Sequence, residues 1–212
     1  MTAYGKGRAR STAIVDYLDF AMHLAPSLQS LGACLHQPVQ ENIMSTFTIR
    51  RATHADAERM QTSFARIGWP KPDGYFAACC AKQDAGELVL LMAEHEDAYV
   101  GHCKIIWTPA YPHFKENGIP EIQDLNVLGE YRRQGAASQL MDEAERIIGE
   151  RCAVAGIGFG LYGDYGAAQR MYVLRGYVPD GHGIAYQDVY VKPGRSYPVD
   201  DDLVLGLVKR LT

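Results

Sequence analysis

The chain lacks any excess of positive charge: 21 Lys and Arg stand against 25 Asp and Glu, a formal net charge of −4. A protein held on nucleic acid or on an anionic membrane presents a basic footprint, so no nucleic-acid and no membrane partner is expected. Cysteine is sparse and unpatterned. The five residues Cys34, Cys79, Cys80, Cys103 and Cys152 form no C-x-x-C pair and are odd in number, which argues against a disulfide framework and for a reducing cytoplasm. The seven histidines show no H-x-x-x-H spacing, and no metal is expected. No apolar run approaches the ~20 residues of a membrane span. Lys6, Arg8 and Arg10 open the chain, but Asp16, Asp19 and Pro26 break the stretch after them, which excludes a secretory signal.

What is present suits one globular domain: 212 residues, 47% hydrophobic, with 21 glycines. Residues 1–44 differ from the rest. They lack strand-like runs and end in the loose Gly32–Pro38 stretch, after which Met44-Ser-Thr-Phe-Thr-Ile-Arg reads as a fresh start. The expected organisation is therefore an N-terminal extension over 1–44, with one helix around Thr12–His23, followed by the domain proper over 45–212.

Within that domain Phe47–Arg51 reads as a strand, and Thr53 caps a helix running to about Arg66. Gly68–Gly74 is loop, and a short helix lies around Tyr75–Lys82. Glu87–Glu94 and Ala98–Trp107 form a hairpin. A strand over Ile119–Leu128 precedes a helix over Gln134–Arg151, in which Ala137, Leu140, Met141, Ala144, Ile147 and Ile148 recur at helical spacing. A strand at Ala155–Tyr162, a helix from Asp164 to before Gly176, and two strands at Ile184–Val191 and Leu203–Leu211 complete the order. The net acidic charge favours cationic small molecules.

The most informative segment is the junction of that strand and long helix. A helix's first turn leaves about four N–H groups without intrahelical acceptors and adds partial positive charge, which makes it a natural phosphate cradle. Small residues at Gly135, Ala136, Ala137 and Ser138 allow close approach, while Arg132 and Arg133 add full charges. Arg132-x-x-Gly135-x-Ala137 resembles the acyl-CoA signature Q/R-x-x-G-x-G/A of the GNAT superfamily of N-acetyltransferases. Asp164–Tyr177 resembles that superfamily's second hallmark, through Ala168, Met171, Tyr172, Gly176 and Tyr177. Tyr165 departs from it, standing where many members carry asparagine.

The resemblance implies an α/β fold with a central mixed, mostly antiparallel sheet flanked by helices. It implies acetyl transfer from acetyl-CoA to a primary amine of a small molecule or peptide, by direct attack in a ternary complex. The cosubstrate would meet backbone groups of Leu125, Asn126 and Val127 where two strands splay, the loop residues Arg132, Arg133, Gln134, Gly135, Ala136, Ala137 and Ser138, and Tyr165 and Ala168. Tyr172 would protonate the departing thiolate. Glu121 is the first candidate for the base. Strand periodicity puts Glu121 on the face of Val127 and turns Asp124, the alternative, away; deprotonation through water or backbone is the remaining possibility. Trp69, Trp107, Tyr111 and Phe114 are candidate wall residues of the acceptor pocket. The resemblance leaves a homodimer open, as it does an acyl-CoA sensor without transfer activity.

A rival motif is Gly158-Phe-Gly-Leu-Tyr-Gly163, a literal G-x-G-x-x-G with Asp180 about twenty residues on. Only about fifty residues follow it. They read as one helix and two strands, too little for a dinucleotide-binding βαβαβ unit.

Overall fold

A computed structural model describes residues 47–211. The expected extension over 1–44, with its helix, lies outside the described residues. The elements are β1 (Thr48–Arg51), α1 (Ala57–Arg66), α2 (Tyr75–Asp84), β2 (Leu88–His95), β3 (Ala98–Ile106), α3 (Pro112–Glu116), β4 (Glu121–Val127), α4 (Ala136–Gly149), β5 (Val154–Gly160), α5 (Gly166–Leu174), β6 (Val178–Tyr186), β7 (Val189–Tyr190) and β8 (Leu203–Arg210). The strands form one sheet in the order β1-β2-β3-β4-β5-β8-β6-β7. Only β4 and β5 run parallel.

Strand β2 is apolar from Leu88 to Ala93 because both its faces are covered there. Leu88, Leu90 and Met92 meet α1 and α2, while Val89, Leu91 and Ala93 meet the core built on α4. Helix α4 contributes Leu140, Met141, Ala144, Ile147 and Ile148 as its periodicity predicts, with Ala136 rather than Ala137 completing the buried stripe. Each fully buried Leu or Ile here contributes roughly 1.5–3 kcal/mol of transfer free energy.

Three local readings are corrected. Pro112 opens a short helix, α3, inside what reads as loop. Asp164 does not cap α5; it sits in a 3-10 turn over Gly163–Tyr165 that leads into the helix. Ile184–Val191 is not one strand but the end of β6, a turn, and β7. Gln187 and Asp188 take φ of 50° and 58°, the two positive-φ positions of a type I′ hairpin. Neither is the Asn-Gly that advertises such a turn.

Two features of the sheet shape its centre. Lys104 pairs with Gln123 and His102 with Asn126, so β4 carries one residue more than β3 across this interval. That bulge is centred on Asp124, at φ 54°, a left-handed conformation that Asp tolerates better than most residues. Beyond it β4 and β5 separate: their only registered pairs are Glu121 with Gly156 and Ile122 with Ile157.

Candidate active site

The bulge resets which side chains share a face. Ile122, Leu125 and Val127 pack toward the core under α4, whereas Gln123 and Asp124 share the opposite face with Glu121. Strand periodicity would put Glu121 beside Val127 and turn Asp124 away; the extra residue reverses both placements.

Glu121 stands at the root of the β4/β5 split, 7% exposed. Its Oε2 accepts a hydrogen bond from Gln123 Nε2 at 2.8 Å. Burial pushes its carboxyl up to about 7, opposed by the Gln123 hydrogen bond and reinforced by the charge of Asp188. A carboxylate poised there suits general-base work at neutral pH.

It lies in a cleft of ≈ 180 Å³ that also takes in Tyr111, Phe114, Gly158, Tyr165, Asp188 and Asp201. The cleft exists because β5 is glycine-rich on this face. A Cβ on Gly156 would come 2.7 Å from the Phe114 ring, and one on Gly160 2.5 Å from the Tyr165 ring. Of the apparent dinucleotide motif, Gly160 thus leaves room for the Tyr165 ring and Gly158 stands beside the Glu121 carboxylate. Asp180, its supposed acidic partner, accepts a hydrogen bond from Tyr111 Oη at 2.7 Å.

Asp124 occupies a different environment. Lys71 Nζ lies 2.8 Å from Oδ1 and His102 Nε2 3.0 Å from Oδ2, while Tyr75 Oη and Asn126 Nδ2 also donate to it. Burial alone would raise its carboxyl, but the contacts from His102, Lys71 and Tyr75 outweigh that and hold it far below the usual range. His102 is fully buried, which pushes its imidazole below the usual value against the raising effect of Asp124. Its Nε2 lies 3.0 Å from Asp124 Oδ2 and its Nδ1 2.6 Å from Tyr99 Oη.

On the other side of the split, α4 begins at Gly135, φ 97°, with no side chain capping it. The first helical N–H to close is that of Gln139, onto Gly135 O; those of Ala136, Ala137 and Ser138 precede it and have no intrahelical acceptor. Arg132 and Arg133 are exposed. Arg132 Nε donates to Val127 O at 3.0 Å, and its guanidinium lies 5.8 Å from the Trp69 ring centre. Gln134 Nε2 donates to Glu130 O. These residues fit a diphosphate, through an uncapped helix start, a glycine at positive φ, and two exposed cations, Arg132 and Arg133.

Not every sequence candidate points into the gap. The Asn126 side chain turns to Asp124, the Val127 carbonyl is taken by Arg132, and Tyr165 Oη donates to Asp201. Leu125 and Ala168 are half-buried against the α4 core. Tyr172 on α5 is 5% exposed, its ring 6.3 Å from that of Phe159. Burial raises its hydroxyl well above the usual tyrosine value, so it holds its proton at neutral pH. Of the aromatic candidates, Tyr111 and Phe114 line the cleft; Trp107 instead lies under the Arg151 guanidinium. Sequence reasoning passed over Gln123, two residues from Glu121 on β4, and Asp188, Asp201 and Asp202, which reach the cleft from distant segments and belong to no local motif.

The sequence matches the model of the Acetyltransferase (GNAT) family over residues 52–177. The chain belongs to the GNAT family. It is accordingly an acyltransferase, and its mixed sheet flanked by helices is the GNAT fold. An N-acetyltransferase from Staphylococcus aureus Mu50 aligns over 79% of this chain and 100% of its own, at 16% identity and a TM-score of 0.59. The ribosomal-protein-alanine N-acetyltransferase of Brucella melitensis aligns over 77% and 99%, at 20% identity and 0.56. The structure of yncA from Salmonella typhimurium with its cofactor acetyl-CoA aligns over 78% and 94%, at 21% identity and 0.52. No curated protein matches the sequence. Among the described residues no helix is long and apolar enough to cross a membrane.

Proposed function

We propose that this GNAT protein transfers an acetyl group from acetyl-CoA to a primary amine of a small molecule or peptide, by direct attack in a ternary complex. The observation that carries the reading is the β4/β5 split, with only two registered pairs, Glu121 buried at its root and an uncapped helix start beyond β4. The first turn of α4, with Arg132 and Arg133, receives the pyrophosphate. Acetyl-CoA supplies the thioester whose acyl group is transferred. Glu121 removes a proton from the incoming ammonium, which at neutral pH is almost wholly protonated. Tyr172 keeps its Oη proton for the leaving sulfur. Asp124, saturated by Lys71, Tyr75 and His102, takes no part in proton transfer; it holds the bulge.

Acetyl-CoA should raise the melting temperature while NAD does not, as expected for a ligand bound only by the folded state. Free thiol should then appear with a suitable amine. Tyr172→Phe should lower the chemical step by ~10²-fold with acetyl-CoA affinity little changed. A pure affinity defect in that variant would remove Tyr172 from the chemistry. Binding without thiol release across a broad amine panel would favour the sensor on the same fold.

A further inference from the structure

Resting on the acetyltransferase reading, we propose that the acceptor carries at least two cationic centres, as in a short aliphatic diamine or polyamine: one amine at Glu121, a second ammonium at a rim formed by Asp188, Asp201 and Asp202. The cleft has four carboxylates and no Lys, Arg or His among its lining residues. Glu121, at its floor, is more than nine-tenths buried. Its Oε2 is taken by Gln123, but Oε1 accepts no hydrogen bond from any described residue and lies 3.4 Å from where a Cβ on Gly158 would stand. The side chain is buried but this oxygen opens into the cleft beside a glycine, where it can accept from a donor outside the protein.

The rim is built rather than incidental. Asp201 Oδ1 accepts hydrogen bonds from Tyr162 and Tyr165, and Asp202 Oδ2 accepts one from Gln187 at 3.1 Å. These neighbours are neutral donors, and no cation pairs with either carboxylate among the described residues. Tyr111, Phe114 and Tyr165 supply apolar surface between floor and rim, suited to a methylene chain joining two ammonium groups. An acceptor with its own carboxylate, such as a free amino acid, would bring a like charge to the three rim aspartates, which have no Lys, Arg or His among the cleft's lining residues.

The test is calorimetric binding in the presence of CoA, alongside thiol release with acetyl-CoA, for 1,5-diaminopentane, pentylamine and 5-aminopentanoate. The diamine should bind at least about tenfold tighter than pentylamine, with 5-aminopentanoate weakest, and the preference should shrink with added salt. In Asp201→Asn/Asp202→Asn, which keeps oxygen acceptors for both tyrosines, the diamine-to-monoamine ratio should fall toward one. Pentylamine or 5-aminopentanoate equal to the diamine in the wild-type protein would overturn the inference, as would a ratio untouched by the double substitution. Should the variant fold poorly, the wild-type ligand series and its salt dependence decide alone. Diamine binding with no thiol release from any amine would sink the transfer reading while leaving the dication site standing.

Discussion

Glu121 and Asp124 stand three residues apart on β4, share one face of the sheet, and are both withdrawn from solvent, yet their carboxyls are driven in opposite directions. Glu121 is raised to about 7, while Asp124 is held far below the usual carboxylate range. Burial raises both. What separates them is the company: Glu121 has one amide donor, whereas Asp124 has Lys71, Tyr75, His102 and Asn126 around it. Desolvation without compensation makes a base usable at neutral pH; desolvation with full compensation makes a structural anion. The single-residue bulge at Asp124 puts the two carboxylates on one face of the sheet, at the point where β4 and β5 separate.

The largest effect expected from breaking this contrast is on stability. Asp124→Ala would leave the partly buried Lys71 and Lys104 without their counterion and the fully buried His102 without its partner, a loss of about 3–5 kcal/mol in denaturant unfolding. The sign with pH follows from the depressed carboxyl. Its stabilisation is fully present above the unfolded-state value near 4 and is lost as pH falls through the lower folded-state value, so wild type and variant should converge only in strong acid. A loss below ~1 kcal/mol at neutral pH would make the cage an ordinary surface pair.

Glu121→Gln probes the other side. Turnover should fall by ~10²-fold or more, and the rise in rate around pH 7 should disappear. Stability should move the opposite way. A carboxyl raised from the usual value to about 7 in the folded protein makes the wild type progressively less stable as pH rises from about 4.5 through 7, by about 3 kcal/mol at ~1.4 kcal/mol per pH unit. The glutamine variant should lack that slope, so urea unfolding at pH 8 should find it the more stable of the two. Unchanged turnover with an unchanged pH profile would remove Glu121 as the base.

Much of this was legible before any coordinates. The strand-turn-helix around Arg132–Ser138, the α4 stripe, and the Tyr172 helix with its Gly176 stop are local patterns, and local patterns survive folding. The face shared by Glu121 and Asp124 was not legible, because period-two reasoning assumes an unbroken strand, and an aspartate at φ 54° looks like any other aspartate in sequence. The β6–β7 turn hid for a similar reason: Gln187 and Asp188 adopt positive φ without glycine. Asp188, Asp201 and Asp202 reach Glu121 only through the placement of β8 between β5 and β6, a long-range arrangement to which no short motif points.

The smallest expected effect is the sharpest test of the contrast. Among the described residues Gln123 Nε2 is the one hydrogen-bond donor to Glu121, and it holds the carboxyl lower than burial alone would. Gln123→Leu keeps the bulk and removes the donor, so the charged form of Glu121 loses the larger of its two compensations, the charge of Lys104 being the other. A hydrogen bond to a charged group is worth roughly 1.5–3 kcal/mol, and one pH unit about 1.4. The alkaline shift of the pH–kcat/KM limb should therefore be ~1 unit, with the plateau rate nearly preserved because Glu121 is fully ionised there in both proteins. A limb that stays put would assign the titration near 7 to a group other than Glu121. A limb that moves would place Glu121 still further from Asp124, as expected if the number of donors, and not depth of burial, sets the two carboxyls apart.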